Sequence, residues 1–124
     1  MRSIPTLSAF AALSLLIAAP ALASRAPTLR EREQITNSYP AYIRNAPVDC
    51  VFIDIRISSR DARYALVGVQ ALNALKPHSR CLRYAVNGFD ILKKQRGKWR
   101  SIFAGSDAPP CSLKVPRDLI QCRP

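Results

Sequence analysis

The chain contains a single histidine, His78, four glycines and one tryptophan, and its eight acidic residues face nineteen basic ones. Each scarcity excludes something. A general base needs a nucleophile and an orienting partner, and His78 stands alone in Lys76-Pro77-His78-Ser79, which reads as a solvated basic loop. The carboxylates form no acid pair. Glu31 and Glu33 fall in the first turn of a helix, where negative charge suits the dipole, and Asp54, Asp61, Asp90 and Asp107 fall on a strand face, turns and edges. Gly105-Ser106 lacks the surrounding G-x-S-x-G pattern of a nucleophile elbow. No two cysteines are close either: the nearest, Cys111 and Cys122, are eleven positions apart, whereas metal sites use close pairs with partners. No catalytic residue, metal ligand or cofactor is therefore assigned, and nothing in the cysteine spacing supports a redox role.

What the chain does have begins with an export leader. Arg2 supplies a positive start, Leu7 to Ala19 is almost wholly apolar, and Ala21-Leu22-Ala23 is a small-x-small cleavage site. The apolar run is shorter than the roughly 20 residues a membrane span requires. Residues 1–23 are read as a signal peptide and 24–124 as one domain, working in the periplasm or outside the cell. No cysteine stands at the cut, no twin arginine precedes it, and no later stretch is long and apolar enough for a second membrane segment. Arg2 leaves with the leader, so 18 basic residues stand against 8 acidic ones in the mature domain, a net of +10.

In an exported domain this small, four cysteines read as two structural disulfides. Of the three connectivities, Cys50 with Cys81 and Cys111 with Cys122 is expected, because each bridge then closes a local unit.

Thr28-Leu29-Arg30-Glu31 has the form of a capping box, opening a helix over about Leu29 to Ser38 that Pro40 stops. Val51, Ile53, Ile55 and Ile57 alternate with Phe52, Asp54, Arg56 and Ser58, the period of a strand with one buried face. The turn at Ser58 to Asp61 is too short for a crossover, so Tyr64 to Val69 is expected to run antiparallel. Gln70 to Arg80 reads as a loop. Leu82 to Val86 and Phe89 to Lys94 flank Asn87-Gly88, a pair suited to a tight hairpin. Gly97 marks the next turn, Trp99 to Phe103 the last strand, and Pro116 the start of a short helix carrying Leu119 and Ile120. The fold class is α+β: an N-terminal helix on an antiparallel sheet of four or five strands, with a short C-terminal helix.

The run Trp99-Arg100, Gly105-Ser106, Cys111, Val115-Pro116, Leu119 and Cys122 resembles the C-terminal pattern of small secreted bacterial proteins of unknown function, and Ile57-Ser58 with Asp61 to Ala65 is similar to theirs as well. That resemblance implies the fold and no activity.

Lys93, Lys94, Arg96, Lys98 and Arg100 crowd one turn beside Trp99. Arginine outnumbers lysine over the chain and is the better fork for anionic oxygens. These six residues are the expected binding surface of a non-enzymatic protein whose partner is anionic: an envelope polymer, a lipid head group or an acidic protein. Charge that merely keeps a sheet edge soluble is the plainer account of the same run. The alternative function is an inhibitor or interaction protein using the exposed loop Leu75 to Arg80, and a small hydrolase or nuclease built on His78 and arginines stands behind both. Nucleic acid is not favoured as a specific partner, since aromatic residues make up only 7% of the chain.

Overall fold

The computed structural model describes residues 23–84 and 87–124. The expected leader up to position 22 lies outside the described residues, as do Ala85 and Val86. Four strands, β1 (Val51–Ile57), β2 (Tyr64–Ala71), β3 (Asn87–Gln95) and β4 (Lys98–Gly105), form one antiparallel sheet in chain order, preceded by helices α1 (Leu29–Asn37) and α2 (Ala41–Arg44). The α+β class is as the sequence implies, with four strands.

Strand alternation decides what lies on each face. In β1, Val51, Ile55 and Ile57 are buried while Phe52 and Asp54 are exposed. The register sets Ile55 opposite Val67 and Ile57 opposite Ala65, and Ala65 opposite Leu92. These residues join Ile35, Trp99 and the buried disulfide partners Cys50 and Cys81 in one core. The other face carries a second cluster, in which Tyr64 and Ile91 pack with Val115 and Leu119 of the C-terminal segment. The sheet is thus a middle layer.

The helix α1 contributes one buried side chain, Ile35, and is held by its ends. Thr28 Oγ1 accepts from the Glu31 amide at 3.1 Å, and Glu31 Oε1 accepts from the Thr28 amide at 2.9 Å, completing the capping box. The same carboxylate takes both Nη atoms of Arg25, at 2.7 and 3.0 Å, and Arg25 is bridged to the end of β1 by paired backbone bonds with Ile57. At the far end, the Tyr39 hydroxyl donates to Asp90 on β3 at 2.7 Å. Burial first, and the Asp90 carboxylate second, hold the Tyr39 hydroxyl above its ordinary value, so it stays a donor.

Two segments differ from expectation. Asn87 and Gly88 do not turn a hairpin; they open β3, paired with Gln70 and Val69. Leu82–Tyr84, expected as a strand, is a single 3₁₀ turn. The cause is the Cys50–Cys81 disulfide, which draws the chain before it onto the start of β1, away from β3. Gly88 is still required, because a Cβ there would sit 3.2 Å from the Gly105 carbonyl oxygen. In the C-terminal segment, Cys111–Leu113 forms a 3₁₀ turn, and the Pro116 stretch makes one further turn, closed by Leu119 N to Pro116 O at 3.2 Å. Asp118 anchors this segment across the sheet, accepting from Ser58 Oγ and Ser59 N, both at 2.7 Å.

Both disulfides form in the local pairing, Cys50–Cys81 and Cys111–Cys122. Replacing Cys111 and Cys122 by alanine is expected to cost about 3 kcal/mol and replacing Cys50 and Cys81 about 4 kcal/mol from loop closure alone, read by urea unfolding. Glu31 supplies a pH signature. The Arg25 hydrogen bond, aided by the Thr28 amide against the opposing effect of burial, lowers its carboxyl from 4.5 to about 2. A depressed carboxyl stabilises fully above its unfolded value and loses that contribution as pH falls through the folded one. The stability gap between the parent and Glu31→Gln is therefore expected to be full at neutral pH, to shrink below 4.5 and to close near 2, as followed by unfolding at stepped pH.

Candidate functional site: the basic hairpin

The turn between β3 and β4 is made by Arg96 and Gly97, both at positive φ (51° and 78°). Positive angles at both central residues match the twist of the flanking strands, so this two-residue turn holds the hairpin in register. Gln95 pairs with Lys98, Lys94 with Trp99 and Lys93 with Arg100. Directly opposed residues share a face of the sheet. Lys94 and Trp99 therefore lie on the side of the main core, and Lys93, Lys98 and Arg100 on the other.

The structure places all six expected residues on this one hairpin and gives them different duties. Trp99 is only 6% exposed and belongs to the core under α1. It is no stacking platform for a ligand; its indole N–H is buried and without a hydrogen-bond partner among the described residues. Lys94 Nζ lies 5.9 Å from the Trp99 ring centre and Lys93 Nζ 5.2 Å from that of Tyr64, so both stems lie along aromatic surface with the charge outermost. Arg96, Lys98 and Arg100 are exposed.

The charge here is uncompensated. Among the described residues the ion pairs are Arg25–Glu31, Arg63–Asp61 and Arg80–Asp49, none of which involves a hairpin cation. Asp61 is close enough for Lys93 to help hold its carboxyl down, but the larger cause is its hydrogen bond from Arg63, which occupies both oxygens. Lys93 directly opposite Arg100 is a like-charge pair, which costs stability in a sheet. A groove of about 540 Å³ runs beside this surface, between the hairpin and the end of α1.

Other expected positions lie elsewhere. His78 is exposed in the loop after β2, at φ 55°, with no nucleophile or carboxylate bonded to it among the described residues. That loop is anchored at its base: Asn73 Nδ2 donates to Asp49 O, Ser79 Oγ to Asn73 O, and Arg80 pairs with Asp49. Asp49, Cys50 and Cys81 cluster closely, but the cysteines are joined to each other and hold no thiolate for a metal. The groove beside α1 escapes sequence reasoning, because Gln34, Asn37 and Ser38 come beside the start of β4 only through the packing of helix on sheet.

An arginine in the left-handed region is strained by roughly 1 kcal/mol relative to a residue suited to it. Arg96→Asn is therefore expected to raise stability in a denaturant titration while moving elution from a sulfonate exchanger to lower salt. Equal elution would show that the turn does not carry the surface charge that matters.

Compared with protein-family models, curated proteins and solved structures, the chain matches none.

Proposed function

We propose that this is an exported, non-enzymatic binding protein whose β3–β4 hairpin grips an anionic polymer of the cell envelope. One observation carries the reading: five cations are concentrated on a single hairpin with no ion pair among the described residues, while carboxylates elsewhere are held by other arginines. A surface needed only for solubility gains nothing from setting Lys93 opposite Arg100 or from a strained Arg96 at the tip. Export is supported by the leader pattern and by two formed disulfides, which persist in oxidising compartments. Among the described residues no helix is long and apolar enough to cross a membrane.

A second reading has support of its own, a protein contact made by the anchored loop. Leu75 is 97% exposed at its tip. The loop folds as successive turns, with Lys76 N bonded to Asn73 O and Ser79 N to Lys76 O. That shape presents a knob rather than the extended strand a substrate-mimicking inhibitor offers. Association through Leu75 would be nearly insensitive to salt, whereas the hairpin's would fall steeply with it.

Replacing Lys94, Arg96 and Lys98 together by glutamine is expected to weaken binding to an anionic polymer such as polyphosphate. The slope of log affinity against log salt should flatten by about 0.7–0.9 per cation removed, with the melting temperature nearly unchanged. Parent-like binding at low salt would overturn the proposal.

A further inference from the structure

Three separate segments meet at Asp49, in the turn that leads into β1. The Asp49 carbonyl accepts from Asn73 Nδ2 at 2.8 Å, its carboxylate accepts from Arg80 Nη2 at 2.6 Å, and its neighbour Cys50 is bonded to Cys81 with the Cα atoms 4.9 Å apart. Each segment carries an exposed aliphatic side chain close to that junction: Val48 at 92%, Leu75 at 97% and Leu82 at 63%. Apolar side chains scattered singly over a surface are ordinary. These three are gathered, each one or two residues from a group in the same bonded cluster.

Leu75 is held out by the shape of its loop. The Lys76 amide donates to Asn73 O, so Ala74 and Leu75 are the central residues of a turn, and Ser79 Oγ donates to the same carbonyl at 2.6 Å. Asn73 and His78, at φ 57° and 55°, take left-handed conformations uncommon outside glycine. The bonds to Asp49 and Ser79 keep the loop in that shape, so it has little freedom left to lose on docking.

The charged residues of the same segments are cationic. Lys76, Arg80 and Arg83 are exposed, and among the described residues only Arg80 has a carboxylate partner, Asp49. Asp49 is the one acidic residue in positions 47–50 and 72–84. A protein partner favours a different composition, since interface centres are enriched in aromatic residues and depleted in lysine. Short aliphatic projections among long cationic side chains suit a lipid surface. There the apolar groups enter the boundary below the head groups, and the cations meet lipid phosphates without any fixed geometry.

We infer that this end of the domain docks on an anionic lipid bilayer, with Val48, Leu75 and Leu82 entering the interface and Lys76, Arg80 and Arg83 meeting the head-group phosphates. The surface is independent of the hairpin: the loop follows the end of β2, which pairs with the start of β3 at Asn87, whereas the hairpin turn lies beyond Gln95 at the other end of that strand.

Vesicle flotation tests this with protein recovered after export, the loss of its apolar leader checked by mass. Vesicles of equal parts phosphatidylglycerol and phosphatidylcholine should carry the protein upward, and vesicles of phosphatidylcholine alone should not. Leu75→Ala should lower affinity for the anionic vesicles about tenfold, and Lys76→Gln with Arg83→Gln about fivefold for each cation. All three side chains are exposed, so the melting temperature should hold. Leu75→Trp should bind as tightly as the parent, and its added indole should shift to the blue and be quenched by brominated lipid chains. Trp99, buried in the core, gives a constant background.

Parent-like affinity of Leu75→Ala, an indole at position 75 that stays in water, or equal binding of neutral vesicles overturns the inference. So does vesicle binding that is lost on replacing Lys94, Arg96 and Lys98 but kept by the loop variants, which would return the lipid to the hairpin. No binding to anionic vesicles overturns it as well and leaves the loop to a protein contact. The loop variants should hold polyphosphate as the parent does, so the hairpin reading stands or falls separately.

Discussion

Ile35 is the only residue of α1 that reaches the core, and its contact with the face formed by Ile55, Ile57, Val67 and Leu92 is the one on which the other arrangements depend. A nine-residue helix is marginal by itself in water, so α1 exists because that single side chain is buried and because both of its ends are tied. Arg25 and Thr28 meet at Glu31 at one end, and Tyr39 reaches Asp90 at the other. Without Ile35 in place, Trp99 would lose its cover and the groove beside β4 would lose its helix wall. Burying one isoleucine is worth about 1.5–3 kcal/mol, a modest quantity to organise so much, which is why the capping box and the two flanking polar contacts accompany it.

Much of the fold was legible because local chemistry and tertiary structure agree. The alternation from Val51 to Ile57 needs no information from elsewhere, and the Thr28 and Glu31 capping box is a contact between neighbours. The cysteine pairing followed from proximity in sequence, and proximity in space agreed with it. Asn87-Gly88 misled because its backbone freedom is real but serves a close approach to Gly105, while a disulfide thirty-one residues long decides where the preceding chain can go. The short helix after Pro40 and the apolar covering of the second sheet face by Leu113, Val115, Leu119 and Ile120 show no periodicity at all. Irregular chain that packs by position rather than by pattern leaves no trace for periodicity to find.

The basic run illustrates a second limit. Its composition was plain, yet composition treats six neighbouring residues as one patch, whereas the pleat divides them between two environments. Trp99 goes inward under α1 and Lys94 follows along its ring, while Lys93, Lys98 and Arg100 belong to the opposite face of the sheet. Only the register of the sheet tells which cations can act on one ligand together.

The strands also give the molecule two unlike ends. The ends of β3 and β4 near the turn carry the cations, while at the opposite end of the sheet the Cys50–Cys81 bridge adjoins the start of β1 and the end of β2, and Val48, Leu75 and Leu82 in the neighbouring segments stand exposed. Seven to nine residues of strand separate these ends, roughly 25 Å. Were the proposed anionic partner to hold the cationic end, the domain would stand as an oriented post, its exposed apolar side chains turned away from the anchor at a height set by strand length.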